Sequence, residues 1–180
     1  MGKQYKKLTQ DDMTFIKEQK LFYLASCSGG EVNLSPKGYD SIRVLNANSL
    51  LFMHYPGSGN RTYRDVDAGG EVTLVFNAFV GEAKILRLFC KAEIISTEHK
   101  NFLEYAKKFG ENPNVIRDFF IFNIYAVESS CGMSVPVMEY KEDRKQLRNW
   151  AVKMHKNGQL DEYNRKTFVP IDLKTIKEQE

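Results

Sequence analysis

"EVTLVFNAFV", residues 71–80, is the stretch on which the fold turns. Val72, Leu74, Phe76 and Ala78 alternate with Thr73, Val75, Asn77 and Phe79, the period of two that an extended backbone imposes. Apolar side chains fall on both faces, so the strand belongs inside a closed sheet. "AKILRLFCKAEIIS" follows it as a second long strand. On the N-terminal side, "KLFYLASC" is a strand, Gly29 and Gly30 a hairpin turn, and "EVNLSPKG" its partner. "SIRVL" and "SLLFMHY" are two more, separated by the "NAN" turn, and "DFFIFNIYAVESS" is the last strong one. Helices fall between them. Thr9 with Asp12 makes a capping box ahead of Met13, Phe15 and Ile16, and "RTYRDVDA" stops at Gly69 and Gly70. Thr97 with Glu98 opens a helix through "HKNFLEYAKKF" to Gly110, and "KEDRKQLRNWAVKMHKNG" forms the last one before a polar tail. No alternating strand–helix–strand rhythm appears, which disfavours a doubly wound sheet. The expected fold is mainly β: an antiparallel barrel of six or seven strands with flanking helices.

The bulk numbers agree. A chain of 180 residues suits one domain, residues 1–180, with a C-terminal helix and tail from about residue 141. Such a domain buries roughly 70% of its unfolded surface and needs no disulfide or metal staple. Twelve Phe and nine Tyr favour pleated surfaces. The 26 basic and 23 acidic residues leave a net charge of +3 with no basic stripe, so nothing marks a nucleic-acid binder. Cys27, Cys90 and Cys131 are far apart and form no CxxC pair, which argues against both a zinc site and a disulfide framework. "MGKQYKKLTQ" has no apolar stretch of a signal peptide, and Lys6 breaks the myristoylation pattern after Gly2. No apolar run approaches the ~20 residues that span a bilayer. The expectation is a cytoplasmic protein with neither membrane nor nucleic acid as a partner.

Between the strand "SLLFMHY" and the helix "RTYRDVDA" lies "YPGSGNRTY", residues 55–63. It is not a P-loop, because no second glycine precedes a Lys-Ser or Lys-Thr pair. It is not a dinucleotide fingerprint either, because Thr62 takes the third glycine's place and no βαβ unit surrounds it. Its chemistry still suits an anion. Gly57 and Gly59 let backbone amides approach closely, Ser58 and Thr62 offer hydroxyls, and Arg61 offers a planar charged fork. A helix starting near Asn60 would add its free amides. Lys37, after the strand "VNLSPKG", would supply a second cation if the fold brings the two corners together.

"VNLSPKGYD", "SLLFMHYPGSGNRTYRDV" and "VTLVFNAFVGEAKILRLFCKAEII", in that order, resemble three blocks of the pyridoxamine 5′-phosphate oxidase-like proteins. "SSCGMSVPVMEY", with a helix containing "RKQLRNW", resembles a less-studied branch of them. The resemblance covers about residues 18 to 150 and implies a split β-barrel that binds flavin mononucleotide (FMN). It also implies a homodimer with both flavin sites at the subunit interface. On this resemblance Val32, Asn33, Leu34 and Ser35 line the flavin, and Lys37 is the lysine after the second strand. Met53 and His54 end a strand beside the ring, and Ser58 is the serine of the phosphate turn. The oxidases follow that serine with Arg and Lys. This chain has Gly59 and Asn60 there, so Asn60, Arg61 and Thr62 form a substituted cradle. Arg87 matches an arginine on the long strand, while Ile85 stands where the oxidases carry glutamine. The closing "KTFVPIDLKTIKEQE" has no counterpart of the arginine segment that grips the substrate phosphate, so vitamin B6 oxidation is not expected.

The functional expectation is an FMN-dependent oxidoreductase that takes NAD(P)H or a small molecule as its second ligand. The alternatives are a flavin carrier or sensor without turnover, or the same fold holding a deazaflavin or haem. No catalytic acid or base, and no metal ligand, stands out. Cys131 lies in a polar, glycine-containing stretch and is expected to pack against a partner subunit, and Trp150 to pack its helix on the barrel.

Overall fold

A computed structural model describes residues 2–58 and 60–166. Eight strands among them form one antiparallel sheet: β1 (Lys3–Tyr5), β2 (Phe22–Cys27), β3 (Asn33–Lys37), β4 (Ile42–Asn46), β5 (Ser49–His54), β6 (Glu71–Asn77), β7 (Lys84–Ile95) and β8 (Asp118–Cys131). Their order is β3-β2-β6-β7-β8-β5-β4, with β1 on β8. Helices α1 (Gln10–Glu18), α2 (Arg61–Asp67), α3 (Phe102–Phe109), α4 (Gln146–Lys156) and α5 (Leu160–Lys166) flank it.

The order dictates a curl. β3 and β4 are the two edges, yet only residues 38–41 separate them in the chain. That link reaches at most about 18 Å, whereas six flat inter-strand steps cover about 29 Å. The sheet therefore bends until its edges approach, without hydrogen-bonding to each other. This is the split β-barrel with flanking helices.

β8 is the spine of the barrel, pairing with β7 along its length, with β5 at its start and with β1 near its end. Alternation along β5 and β8 then fills two cores. Leu50, Phe52, Phe120 and Phe122 point into the barrel with Leu24, Leu74, Phe76 and Leu88. Leu51, Met53 and Phe119 point outward beneath α3, α4 and residues 113–116, where Phe102, Ala106, Val115 and Ala151 cover them. Both faces of "SLLFM" are buried because helices roof the outer one. β6 pairs with β2 and β7 as an interior strand, and its outer residues are half-buried.

Local chemistry explains most of the boundaries. Thr9 Oγ1 accepts from the Asp12 amide, and Asp12 accepts from the Thr9 amide, closing the expected capping box. Asp12 is itself buried against Lys84 and the Tyr5 hydroxyl, which pins α1 to the barrel. Gly110 ends α3 in the left-handed region at φ 63°, where a side chain is disfavoured.

Four expectations move. β6 ends at Asn77, not Val80, because the chain turns through Gly81 at φ 77°. α3 starts at Phe102, not Thr97, because residues 96–101 form turns held by Ser96 and His99. α4 starts at Gln146, since the charged run before it has no apolar residue to bury. Part of the supposed polar tail is α5, held down by buried Leu160 and by Tyr163, whose ring centroid lies 4.6 Å from that of Trp150. Residues 167–180, with most of the closing segment, lie outside the described residues. No described helix is long and apolar enough to cross a membrane.

Candidate functional site

β5 delivers His54 to the rim of the barrel, directly opposite Asp118, the first residue of β8. Both side chains are buried, and His54 Nδ1 lies 2.9 Å from Asp118 Oδ1. Beyond His54 the chain leaves the sheet and enters α2 at Arg61. Beside this exit lies a cleft of about 730 Å³, walled by the β3 edge, the end of β5, the turn and α2.

The two corners proposed to hold an anion meet here. Asn33, Ser35 and Lys37 from β3, Met53 and His54 from β5, and Ser58, Asn60, Arg61 and Thr62 from the turn and α2 all line this cleft. A side-chain relay ties the corners together. Asn33 Nδ2 donates to Thr62 Oγ1 at 3.0 Å and to Ser26 Oγ at 3.1 Å. The Ser26 and Ser28 hydroxyls donate to Asp65 of α2 at 2.6 and 2.9 Å. Gly70 completes the joint: a Cβ there would meet Cys27 O at 2.4 Å and Asp65 O at 2.6 Å, so only glycine lets α2 come this close to β2.

Three nominated residues stand elsewhere. Leu34 is 63% exposed, on the β3 face opposite Asn33 and Ser35, and Val32, just before the strand, is 71% exposed. Neither lines the cleft. Arg87, on β7, bonds Glu128 and Ser130 of β8 at 3.1 Å each and is not part of the cleft wall.

Electrostatically the cleft is cationic over a buried carboxylate. Burial pushes the Lys37 amine below its ordinary pKa, and the Asp118 carboxylate partly offsets this. Lys37 Nζ also sits 5.9 Å from the Phe52 ring centroid. Arg64, one turn beyond Arg61, adds a third cation to the wall. α2 has only seven residues and Asn60 makes no side-chain cap, so the cationic character of the wall comes from side chains and not from a helix dipole. Asn60 is the telling residue. It is buried, yet neither its Nδ2 nor its Oδ1 has a hydrogen-bond partner among the described residues. An unpaired buried amide costs about 1–3 kcal/mol unless something else pairs it.

The outer wall holds groups that sequence reasoning missed. Tyr55, which lines the cleft, donates to Glu111, and Arg148 of α4 holds the same carboxylate at 2.7 and 3.0 Å. Burial pushes Glu111 upward, but hydrogen bonds from Arg148, Tyr55 and the Asn112 amide outweigh it and hold its carboxyl below the ordinary range. Burial, then Glu111, raises the Tyr55 hydroxyl. This clasp brings Leu147 of α4 to the cleft.

Residues 8–129 match the pyridoxamine 5′-phosphate oxidase family. The chain belongs to that family. The matched region includes every strand of the barrel except β1 and the last residues of β8, while α4 and α5 lie beyond it. The pyridoxamine 5′-phosphate oxidase family protein ustO of Aspergillus flavus is 28% identical over 176 residues, 88% of this chain and 71% of that one. A crystal structure described as that of a candidate pyridoxamine 5′-phosphate oxidase from Lactobacillus delbrueckii superposes with a TM-score of 0.56 at 25% identity, covering 68% of this chain and 98% of that one. HupZ of Group A Streptococcus shares the fold, with a TM-score of 0.54 at 17% identity over 67% of this chain and 92% of that one. The family resemblance read from the three sequence blocks is thus borne out, and so is the split-barrel fold.

Proposed function

We propose that the cleft holds FMN, that two copies of the chain share each flavin site, and that the protein is a flavin-dependent oxidoreductase. The observation that carries this reading is Asn60, a buried amide on the wall of a cationic cleft with both polar atoms unpaired among the described residues. A bound phosphate would accept from its Nδ2, and a ribityl hydroxyl would both accept from Nδ2 and donate to Oδ1. The residues present fit such a group: Arg61 and Lys37 supply charge, Ser58 and Thr62 supply hydroxyls, and Gly57 has no atom within 4 Å of where a Cβ would stand. Pockets of about 300–1,000 Å³ suit cofactor-sized ligands, and this cleft falls in that range. When bound, the flavin supplies the hydride or electron transfer; the protein binds it, orients it and tunes its surroundings.

Membership of the oxidase family supports the flavin but not vitamin B6 oxidation, which we do not propose. The freshly purified protein should show a flavin band at about 450 nm. Reversing charge in Arg61→Glu or Lys37→Glu should weaken FMN retention at least tens-fold, since each charged hydrogen bond contributes about 1.5–3 kcal/mol. Retention unchanged in both variants refutes the cradle. Stopped-flow mixing with NADH or NADPH then separates enzyme from carrier: a band unchanged over minutes favours the non-catalytic carrier or sensor. A deazaflavin or haem spectrum in place of the flavin band overturns the choice of cofactor.

A further inference from the structure

The anion cradle gives Asp118 nothing to do, although it is 3% exposed and bonded to a residue of the cleft. An ionised carboxylate only accepts, so the imidazole nitrogen facing it, Nδ1, carries a proton. Packing holds the ring in place: its centroid lies 5.9 Å from that of Phe52 and 5.7 Å from that of Phe120. Nε2 is left over. It has no hydrogen-bond partner among the described residues, and the residue, 7% exposed, lines the cleft. A carboxylate that fixes one tautomer and leaves the far nitrogen bare toward a ligand is the arrangement of a general base or of an oriented acceptor.

The charged surroundings come from three elements. β8 contributes Asp118, preceded by Arg117, whose main-chain amide also bonds His54 O at 2.9 Å. β3 contributes Lys37, whose amine is held up partly by Asp118. α2 contributes Tyr63, which feels the same carboxylate, and Arg61 and Arg64 on the cleft wall.

We propose that His54 is the proton-exchanging residue of the cleft and Asp118 its positioning residue, and that the molecule entering beside the flavin offers Nε2 a dissociable N–H or O–H. The exchange is a proton transfer alone. The ligand's N–H or O–H bond breaks as the Nε2–H bond forms, and the reverse step restores both. The proposal rests on the flavin reading for what lies beside His54, but not for the state of the imidazole itself.

Nitrogen-15 imidazole spectra of the full chain without flavin test that state directly. In alkaline buffer His54 should be in the Nδ1–H form with Nε2 bare, and Asp118→Asn should lower the share of that form. A wild-type imidazole protonated at Nε2 overturns the proposal whether or not flavin binds. In the FMN-loaded protein, the pH dependence of the midpoint potential should differ between His54→Gln and the wild type. A pH dependence identical in the two proteins also overturns it. If no flavin is retained, the cofactor reading fails instead and the nitrogen spectra alone decide the role of His54.

Discussion

Asn60 sets stability against function at a single residue. Its amide is buried with neither polar atom paired among the described residues, a cost that folding alone must offset elsewhere. Asn60→Ala removes that cost, so thermal melting of the ligand-free variant should be unchanged or raised. Its affinity for FMN should drop about tenfold, as expected for losing one hydrogen bond of roughly 1–1.5 kcal/mol. An apo protein that melts markedly lower, together with unchanged FMN affinity, marks Asn60 as structural. Gly70 is the opposite kind of residue, fixed by backbone contact alone. Gly70→Ala drives a methyl into Cys27 O and Asp65 O, and should destabilise by about 1–3 kcal/mol in denaturant unfolding, since backbone cannot yield as a side chain tip does.

Among the elements, α4 matters because it reaches the cleft from outside the region that matches the family, residues 8–129. Its hold is the Arg148–Glu111–Tyr55 clasp, with Leu147 behind it. Glu111 has its folded pKa depressed, so its contribution to stability is complete above the unfolded value and lost as pH falls through the folded one. Asp12, under α1, behaves the same way: burial pushes it up, but hydrogen bonds from Lys84, Thr9 and Tyr5 outweigh this and hold it low. The melting temperature should therefore decline as pH drops below about 4, and Glu111→Gln should lower it at neutral pH while flattening that decline. A variant whose acid profile parallels the wild type would deny the clasp any role.

For the molecule as a whole, the open questions are assembly and occupancy. The barrel leaves Val32 and Leu34 exposed at the β3 edge beside the cleft, and Met133, Val137 and Met138 exposed after β8. Apolar side chains of this size on a small domain favour association. Sedimentation should give a dimer when flavin is bound, and a flavin-loaded monomer would contradict a site shared between subunits.

The sequence alone determined the barrel strands, because alternation and turn residues act between near neighbours in the chain. It also located both corners of the cleft, in "VNLSPKG" and "GSGNRT", since each is written in a contiguous polar segment. It missed β1, whose three residues carry too little pattern, and α5, whose anchor Trp150 sits on another helix. Only the tertiary structure brought Asp118 to His54, 64 residues away, and Arg148 to Glu111, 37 away. Only the curl of the sheet decided which strand faces see the cleft, leaving Arg87, Val32 and Leu34 outside it. Local patterns follow from backbone geometry within a few residues; which side chains share a site depends on how the whole sheet closes.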